Sequence, residues 1–409
     1  MLDGLRNYSL RKLIYFLRYT EFTALARMIE HKLIAPYFPF RIPVSEKKSC
    51  LLLSGCPGDP FRYRCEHQAA QLKSLGFPTD IGYSSQISDT AMVDRYQWFW
   101  LHRVPYSERI RTLIEAARRS GKPVVFDIDD LVFDENAVRH MRAIEQMSNH
   151  DIEQVYARAK GYYQTMSRCD FATVSTDELR EAVINLFPDM RCFVTPNMLS
   201  DAQLALAEQT LKARDTDNYK KNGIVTIAYF SGTRTHHADF AECSAALVRI
   251  LESFPNVRLL VVGYLDIGRE FAALRRRVEC HRFVPWQRLA SLYTKVDINL
   301  APLELDNPFT ACKSDLKYFE AAIMGVPTVA SAVGSFMKSI VHGENGYICR
   351  TAEEWFTCLS RLVEDPGFRQ RMGSAAKQMV LDTQTKKHGA QILASTLLLS
   401  TNDFKRLHH

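Results

Sequence analysis

The order of apolar and amphipathic segments constrains the fold of this chain more than any other feature. From residue 50 onward, short runs of β-branched and other apolar residues alternate with helix-length amphipathic stretches. Parallel sheets whose strands are joined by crossover helices produce this alternation. We therefore predict an α/β protein. The expected strands of the first series are Cys50–Ser54, Trp98–His102, Val124–Asp127, Phe171–Ser175 and Phe193–Thr195.

A second series of apolar runs follows a polar stretch that ends at residue 222. Pro196 and Asn197 close the first series, because proline restricts the backbone before it and stops a strand. The expected strands of the second series are Ile224–Phe230, Arg258–Val262, Arg282–Val284, Ile298–Ala301, Thr328–Ala330 and Gly346–Cys349. Two series of this kind predict two Rossmann-like domains, which fits a chain of 409 residues.

The predicted segments are a basic amphipathic helical segment (1–48), a first Rossmann-like domain (49–197), a connector (198–222), a second Rossmann-like domain (223–385) and a C-terminal helix and tail (386–409). In residues 1–40 apolar side chains recur at helical spacing among basic ones. Contact with anionic lipid is one interpretation, and a surface helix packed on its own domain is the other. Charges interrupt every apolar run, so we expect no cleavable signal and no membrane span.

The charge and the cysteines limit the classes of function. The formal net charge is +6 and the basic residues are dispersed, which favours a few anion-binding sites over bulk binding of nucleic acid. The ten cysteines form no CxxC pair and no zinc-like spacing. We interpret them as reduced thiols of a cytoplasmic protein and predict no metal site.

The stretch between residues 307 and 331 carries the most informative polar pattern. Lys313, Lys317 and Glu320 fall at i, i+4 and i+7 of a predicted helix, with Ser314 as its N-cap. Cations near the start of a helix suit an anion, and a carboxylate accepts hydrogen bonds from ribose hydroxyls. A sugar nucleotide carries both the anion, as a diphosphate, and the ribose hydroxyls. The alternative for Glu320 is a surface ion pair with Lys317 or Lys313.

The strand expected at 224–230 leads into a sharp turn at Gly232 and Thr233, followed by a helix. Free N–H groups at such a helix start bind phosphate, the Arg234 guanidinium adds a fixed positive charge, and His236 or His237 adds a donor. A diphosphate is the natural ligand of this arrangement, and the lack of a GxGxxG sequence counts against NAD. The alternative is an ordinary strand–glycine–helix turn.

The first domain offers a second group of polar residues after its predicted strands. Gly58 lies in a Gly/Pro-rich loop where the backbone can approach a ligand while Arg62 or Arg64 supplies charge, unless the loop is a plain connector. His102 ends a strand, where its imidazole would hydrogen-bond a sugar hydroxyl or serve the structure alone. Asp129 would bind acceptor hydroxyls or cap a helix.

Asp127 and Asp129, after an apolar strand, also resemble the nucleophile and acid of haloacid-dehalogenase-type phosphatases. Such enzymes begin with this motif near the N-terminus and need a later lysine and an acidic pair around one magnesium ion. Here a strand-rich unit precedes the motif, and Asp130 stands where those enzymes have glycine. A magnesium phosphatase is therefore the less favoured enzyme class.

The region 224–350 resembles the C-terminal signature of family-4 (group 1) retaining glycosyltransferases of the GT-B fold. The matching positions are Lys313-Ser314, Lys317, Glu320, residues 325–331, Gly334 and residues 343–346. The resemblance implies two Rossmann-like domains facing a central cleft, an NDP-sugar donor, Glu320 on the nucleotide ribose and Arg234 on the donor diphosphate. It also implies retention, no metal requirement, and a glycan or lipid-linked acceptor for a bacterial surface polysaccharide such as O-antigen or capsule, made in the cytoplasm or at the inner face of the membrane.

One position departs from the family pattern. The family usually has a second glutamate eight residues before the one matched by Glu320, and this chain has Cys312 there. Glu304, Asp306 or Asn307 from the preceding loop are alternatives for contacting the donor sugar. A sugar-nucleotide-binding or scaffold subunit without catalysis is the second function hypothesis.

Overall fold

The computed structural model describes residues 49–408 apart from residues 88–89, 142–143, 145–146, 217–222 and 233–236. The predicted amphipathic segment, residues 1–48, lies outside the described residues. The described chain divides into two compact units. The N-terminal unit holds residues 49–200, 312–314 and 385–408, and the C-terminal unit holds residues 201–311 and 315–384, within those limits. The predicted α/β fold with two parallel sheets is confirmed.

The sheet of the N-terminal unit has six parallel strands. They are β1 Cys50–Ser54, β2 Thr79–Tyr83, β3 Trp98–His102, β4 Val124–Ile128, β5 Phe171–Val174 and β6 Cys192–Val194. Their order is β2-β1-β3-β4-β5-β6, so the chain builds outward in opposite directions from β1 and β3. Ligands of open parallel sheets bind at the carboxyl ends of the strands, where the order reverses in this way.

Strand β2 is absent from the sequence prediction. It is the edge strand of this sheet, and it pairs with β1 in parallel from Thr79 to Tyr83. Only Thr79 and Gly82 among its five residues are buried. An edge strand needs no continuous apolar run, and the apolar pattern used for the prediction therefore missed it.

The sheet of the C-terminal unit also has six parallel strands. They are β7 Val225–Ser231, β8 Val257–Gly263, β9 Val278–His281, β10 Ile298–Ala301, β11 Thr328–Ser331 and β12 Tyr347–Cys349. Their order is β12-β11-β10-β7-β8-β9, with the reversal between β7 and β10. The described loops that follow these two strands start at Gly232 and Pro302.

The strand predicted at Arg282–Val284 is wrong. The chain pairs with β8 four residues earlier, through Val278 to His281. Phe283 instead stacks on Tyr264, with ring centroids 5.4 Å apart, and Val284 is buried before Pro285. Phe283 and Val284 are thus apolar because they pack from a loop, and this apolar pair led to the wrong prediction of a strand.

Helices connect the strands. In the N-terminal unit they are α1 Asp59–Phe61, α2 Gln68–Ser74, α3 Glu108–Arg119, α4 Glu135–Val138, α5 Asn149–Met166 and α6 Asp177–Leu186. A π-helical turn, Arg62–His67, joins α1 to α2, and 3₁₀ turns cover Ser84–Gln86 and Ala91–Arg95. In the C-terminal unit they are α7 Asp201–Thr216, α8 His237–Ser253, α9 Leu289–Tyr293, α10 Pro308–Ala311, α11 Leu316–Ala322, α12 Phe336–Ser339, α13 Ala352–Glu364 and α14 Pro366–Thr383.

The C-terminal helix, α15 Lys386–His408, packs within the N-terminal unit. Leu393 and Leu397 join the apolar core that contains Leu72 of α2. Gly389 of α15 lies so close to α2 that a Cβ on Gly389 would be 2.5 Å from the side-chain amide nitrogen of Gln71. In the part of the chain that is described, every helix is too short or too polar to cross a lipid bilayer.

Candidate active site

The loop after β7 lies at the reversal point of the C-terminal sheet. Gly232 is exposed, and an added Cβ there would have no neighbour within 4 Å among the described residues. Gly263, at the end of β8, has a φ of +104°, and a Cβ there would lie 1.9 Å from the Ser231 carbonyl oxygen. The ends of β7 and β8 are therefore tightly packed beside an open Gly232. The predicted residues Thr233 and Arg234 lie outside the described residues.

His237 is the first residue of α8 and is half-buried. Its Nε2 atom accepts a hydrogen bond from the backbone N–H of Asp266 at 3.2 Å. A neutral imidazole that accepts at Nε2 carries its proton at Nδ1. This contact fixes the ring at the entrance of the helix that follows the Gly232 loop.

The loop after β10 is held by acidic and amide side chains. The buried carboxylate of Asp239 accepts a hydrogen bond from the backbone N–H of Glu304 at 3.1 Å. Asn307 donates to the Glu304 carboxylate at 3.1 Å, and Asp306 adopts a positive φ of 55°. Burial, with Glu304, Asp239 and Asp306 nearby, raises the pKa of Glu242. The sequence prediction named Asp239 and Glu242 in no role, and single acidic residues on a helix gave no signal for one.

Lys317 and Glu320 lie on α11, which packs against β10. The side-chain amide of Asn299 donates to the Lys317 carbonyl oxygen at 2.9 Å. The Lys317 ammonium lies 5.9 Å from the centre of the Tyr229 ring on β7. Burial raises the pKa of Tyr293, and the negative charge of Glu320 raises it further. The structure thus brings Lys317 beside β7, which leads into the Gly232 loop, and Glu320 beside Tyr293 of α9.

Lys313 does not share the helix of Lys317 and Glu320, which corrects the prediction of one helical face and of a Ser314 N-cap. Helix α11 begins at Leu316, and its N-cap residue is Asp315. The buried Asp315 carboxylate accepts hydrogen bonds from Ser339 and from Gln384, each at 2.5 Å. The Asp315 carboxylate is therefore used in tertiary contacts and does not cap the helix with a side-chain hydrogen bond.

Residues Cys312 to Ser314 belong to the N-terminal unit, and three contacts hold them there. The Thr176 hydroxyl donates to the Cys312 carbonyl oxygen at 3.2 Å, and the Asn197 amide donates to the Ser314 hydroxyl at 3.1 Å. The Lys313 ammonium lies 3.5 Å from a carboxylate oxygen of Asp130. Each of these three residues is therefore held by its own contact within the N-terminal unit.

His102 ends β3 at the reversal point of the N-terminal sheet and is 1% exposed. Its Nδ1 atom lies 2.8 Å from the Ser54 hydroxyl, and its Nε2 atom lies 3.2 Å from a carboxylate oxygen of Asp129. An ionised carboxylate only accepts, so we assign a proton to Nε2. A ligand contact of His102 would have to replace one of these two hydrogen bonds.

Asp129 connects this histidine to Arg103, which is half-buried. Arg103 Nε donates to the Asp129 carboxylate at 2.5 Å, and Arg103 Nη2 lies 3.6 Å from Asp130. Burial would raise the pKa of Asp129, but Arg103 and then His102 hold it well below its ordinary value. Arg103 adopts a positive φ of 45°, a conformation that non-glycine residues rarely keep without support from their surroundings.

Asp127, the other carboxylate of the phosphatase interpretation, is buried in an ion pair. Arg64 binds it through Nη2 at 2.5 Å and Nε at 2.9 Å, and the Thr173 hydroxyl donates to it at 2.6 Å. Arg64 also donates to the Thr195 hydroxyl at 2.8 Å. The described residues contain no cluster of three side chains suited to hold a metal ion. A carboxylate with these partners is not placed as a nucleophile.

Gly58 and Arg62 lie in the loop and helical turn that follow β1. Gly58 is exposed, has a φ of +87° and precedes α1. The Arg62 guanidinium is buried, donates to Asp59 at 2.9 and 3.1 Å and lies 4.3 Å from the centre of the Tyr63 ring. Arg62 therefore helps to hold the turn in place.

Known proteins resemble this chain both in sequence and in fold. Residues 222–365 match the family model described as glycosyl transferases group 1. A D-inositol 3-phosphate glycosyltransferase of Pseudarthrobacter chlorophenolicus is 29% identical over 144 residues, which are 32% of this chain and 33% of that protein. The match thus spans about a third of the length of this curated relative.

Two solved structures share the fold at low sequence identity. Sucrose-phosphate synthase from Thermosynechococcus elongatus has a TM-score of 0.58 and 13% identity, over 87% of this chain and 100% of that one. Anabaena HepE in complex with UDP has a TM-score of 0.56 and 15% identity, over 85% and 99%. The fold is that of the GT-B glycosyltransferases, and the resemblance of this chain to the group 1 family is confirmed over residues 222–365.

Proposed function

We propose that this protein transfers a sugar from an NDP-sugar to a glycan or lipid-linked glycan. The carrying observation is that the family match covers the Gly232 loop and α11, where Lys317 lies beside Tyr229 of β7 and Glu320 lies near Tyr293 of α9. Sugar nucleotides present a diphosphate and a diol. A glycine-lined helix start suits the first and a carboxylate suits the second.

The roles within the proposed reaction follow from charge. Arg234, with the Gly232 loop and His237, stabilises the negative charge that develops on the departing diphosphate, and Glu320 orients the ribose. Lys313 has the same role only when its ammonium leaves Asp130, which lies 3.5 Å away. In our proposal side chains supply this positive charge without a metal ion. The transferred sugar keeps its anomeric configuration.

The setting of the reaction is proposed by resemblance. We assign the protein to bacterial surface polysaccharide synthesis, such as O-antigen or capsule, in the cytoplasm or at the inner face of the membrane. The curated relative is named for a small phosphorylated polyol, so an acceptor of that class belongs in the same screen. UDP heads the nucleotide candidates because HepE, which shares the fold, was solved with it.

A thermal-shift panel of UDP, GDP, dTDP and CMP tests this proposal first. A ligand that binds only the folded protein raises its melting temperature according to its concentration relative to its dissociation constant. We expect one nucleoside diphosphate to stabilise the protein and Glu320→Gln to reduce that shift. No shift with any nucleotide would contradict the proposal.

A sugar-nucleotide-binding subunit without catalysis is the second candidate, and Cys312 favours it. The Cys312 side chain is buried, and burial raises the pKa of its thiol to about 12. A neutral thiol cannot replace the carboxylate that the resembled family carries at this position. Nucleotide binding without hydrolysis or transfer of any NDP-sugar would support this candidate.

A further inference from the structure

Residues 269–288 of the C-terminal unit concentrate positive charge. They contain six arginines and two glutamates, a net charge of +4 in a chain whose formal net charge is +6. We name this surface the arginine edge, since it runs along β9, the outermost strand of its sheet. None of the predicted site residues lies in it.

A nine-residue 3₁₀ helix, Arg269–Arg277, forms the first part of the arginine edge. With three residues per turn, positions three apart share a face. Phe271 is fully buried, with its ring 6.0 Å from that of Phe240, and Leu274 is partly buried on the same face. The remaining faces point outward and present Arg269, Arg275 and Arg276, all of which are exposed.

Four arginines of the arginine edge are not paired with a carboxylate of the described residues. Arg269, Arg275, Arg276 and Arg282 form no ion pair with any carboxylate in the described part of the chain. Elsewhere in the described chain Arg111 binds Glu108 and Glu115, and Arg139 binds Glu135. The exposed Arg109 and Arg119 also form no ion pair there, so the arginine edge is distinguished by the density of its arginines. Unpaired guanidinium groups that repel one another are stabilised by an external anion.

We propose that the arginine edge docks this protein on a bilayer surface rich in anionic phospholipid. Guanidinium groups bind phosphate head groups, and each basic residue near such a surface strengthens binding about fivefold. Half-buried Trp286 follows Arg282 by four residues, and tryptophan side chains favour the interface between lipid and water. Lipid is the partner that we propose, and nucleic acid and an acidic protein are the alternatives that the experiment distinguishes. The inference goes beyond the proposed sugar transfer and holds whatever reaction the protein performs.

Vesicle sedimentation with the full chain tests this inference. Wild-type protein is mixed with vesicles of phosphatidylcholine alone or of phosphatidylcholine and phosphatidylglycerol. We expect binding to the anionic vesicles only, weakened by added salt and weakened about 25-fold by the double substitution Arg275→Gln and Arg276→Gln. Residues 1–48 are present in every variant, so any lipid contact that they make is common to all of them.

The matched control is the double substitution Arg111→Gln and Arg139→Gln. It removes the same number of exposed arginines, but from side chains already paired with carboxylates, and we expect at most about a twofold change. Equal binding by wild type and the Arg275/Arg276 variant would overturn the inference. It would also be overturned by equal binding to neutral vesicles, or by loss of RNA or acidic-protein binding in that variant without loss of vesicle binding.

Discussion

The carboxyl ends of the two sheets differ in how their charges are used. In the N-terminal unit, charged groups neutralise one another inside the protein: Arg64 with Asp127, and Arg103 with Asp129. In the C-terminal unit, the corresponding end has an exposed Gly232 and the half-buried side chains of Lys317 and Glu320. Charges paired within the protein fix its conformation, whereas an open loop lets a ligand bring its own charge. We therefore expect stability to depend mainly on the first end and nucleotide binding on the second.

The largest expected effect is on stability, from Arg64→Ala. The substitution leaves Asp127 buried without its cation, so the free energy of unfolding should fall by about 3–5 kcal/mol. Chemical denaturation measures this change. Arg111→Ala, which removes an exposed ion pair, should cost less than about 1 kcal/mol. Equal losses in the two variants would remove the contrast between buried and exposed pairs.

Arg234→Ala tests the other end of the comparison. Removing a preorganised donor to a developing negative charge should lower turnover at least about 100-fold while the free energy of unfolding stays unchanged. We predict the same loss for Lys313→Ala, because our proposal gives its ammonium the same role as the Arg234 guanidinium. Initial rates with the NDP-sugar identified by the nucleotide panel provide the measurement. Wild-type rates in both variants would refute the predicted diphosphate site.

Asp129→Asn should change how stability depends on pH. Arg103 holds the pKa of Asp129 below its ordinary value, so the ionised form stabilises the fold at pH values above about 4, the unfolded pKa, and this contribution is lost as pH falls. At neutral pH the variant should lose about 2 kcal/mol. Denaturation across a pH series should show the gap between variant and wild type closing in acid. A gap that stays constant would contradict the ion pair.

The smallest effect is expected from removing metal ions. If side chains supply the positive charge at the C-terminal end, EDTA should change the rate of sugar transfer by less than about twofold. Loss of activity that magnesium restores would show that a metal ion supplies that charge. Phosphate release that needs magnesium and is abolished by Asp127→Asn would instead revive the phosphatase interpretation.

The sequence allowed the fold to be predicted more fully than the site. Apolar runs located ten of the twelve described strands, because central parallel strands are buried on both faces. Both misses, β2 and β9, are edge strands in which polar residues interrupt the apolar run. The other two edge strands, β6 and β12, keep a short apolar run and were found.

Contacts between distant residues account for what could not be predicted at the site. The start of α11 depends on Asp315 bonding Gln384, which lies 69 positions away. The pairing of Arg64 with Asp127 spans 63 positions. Neither spacing follows a helical or strand period, so no pattern in the sequence indicates it.

Isothermal titration with UDP, GDP and dTDP tests the central claim most directly, that the C-terminal unit binds the nucleotide diphosphate. We predict that one of them binds wild type, that Arg234→Ala and Glu320→Gln each weaken its binding at least about tenfold, the loss of one charged hydrogen bond, and that Asp129→Asn leaves it unchanged. Binding that survives both C-terminal substitutions, or that depends on Asp129 instead, would contradict the claim.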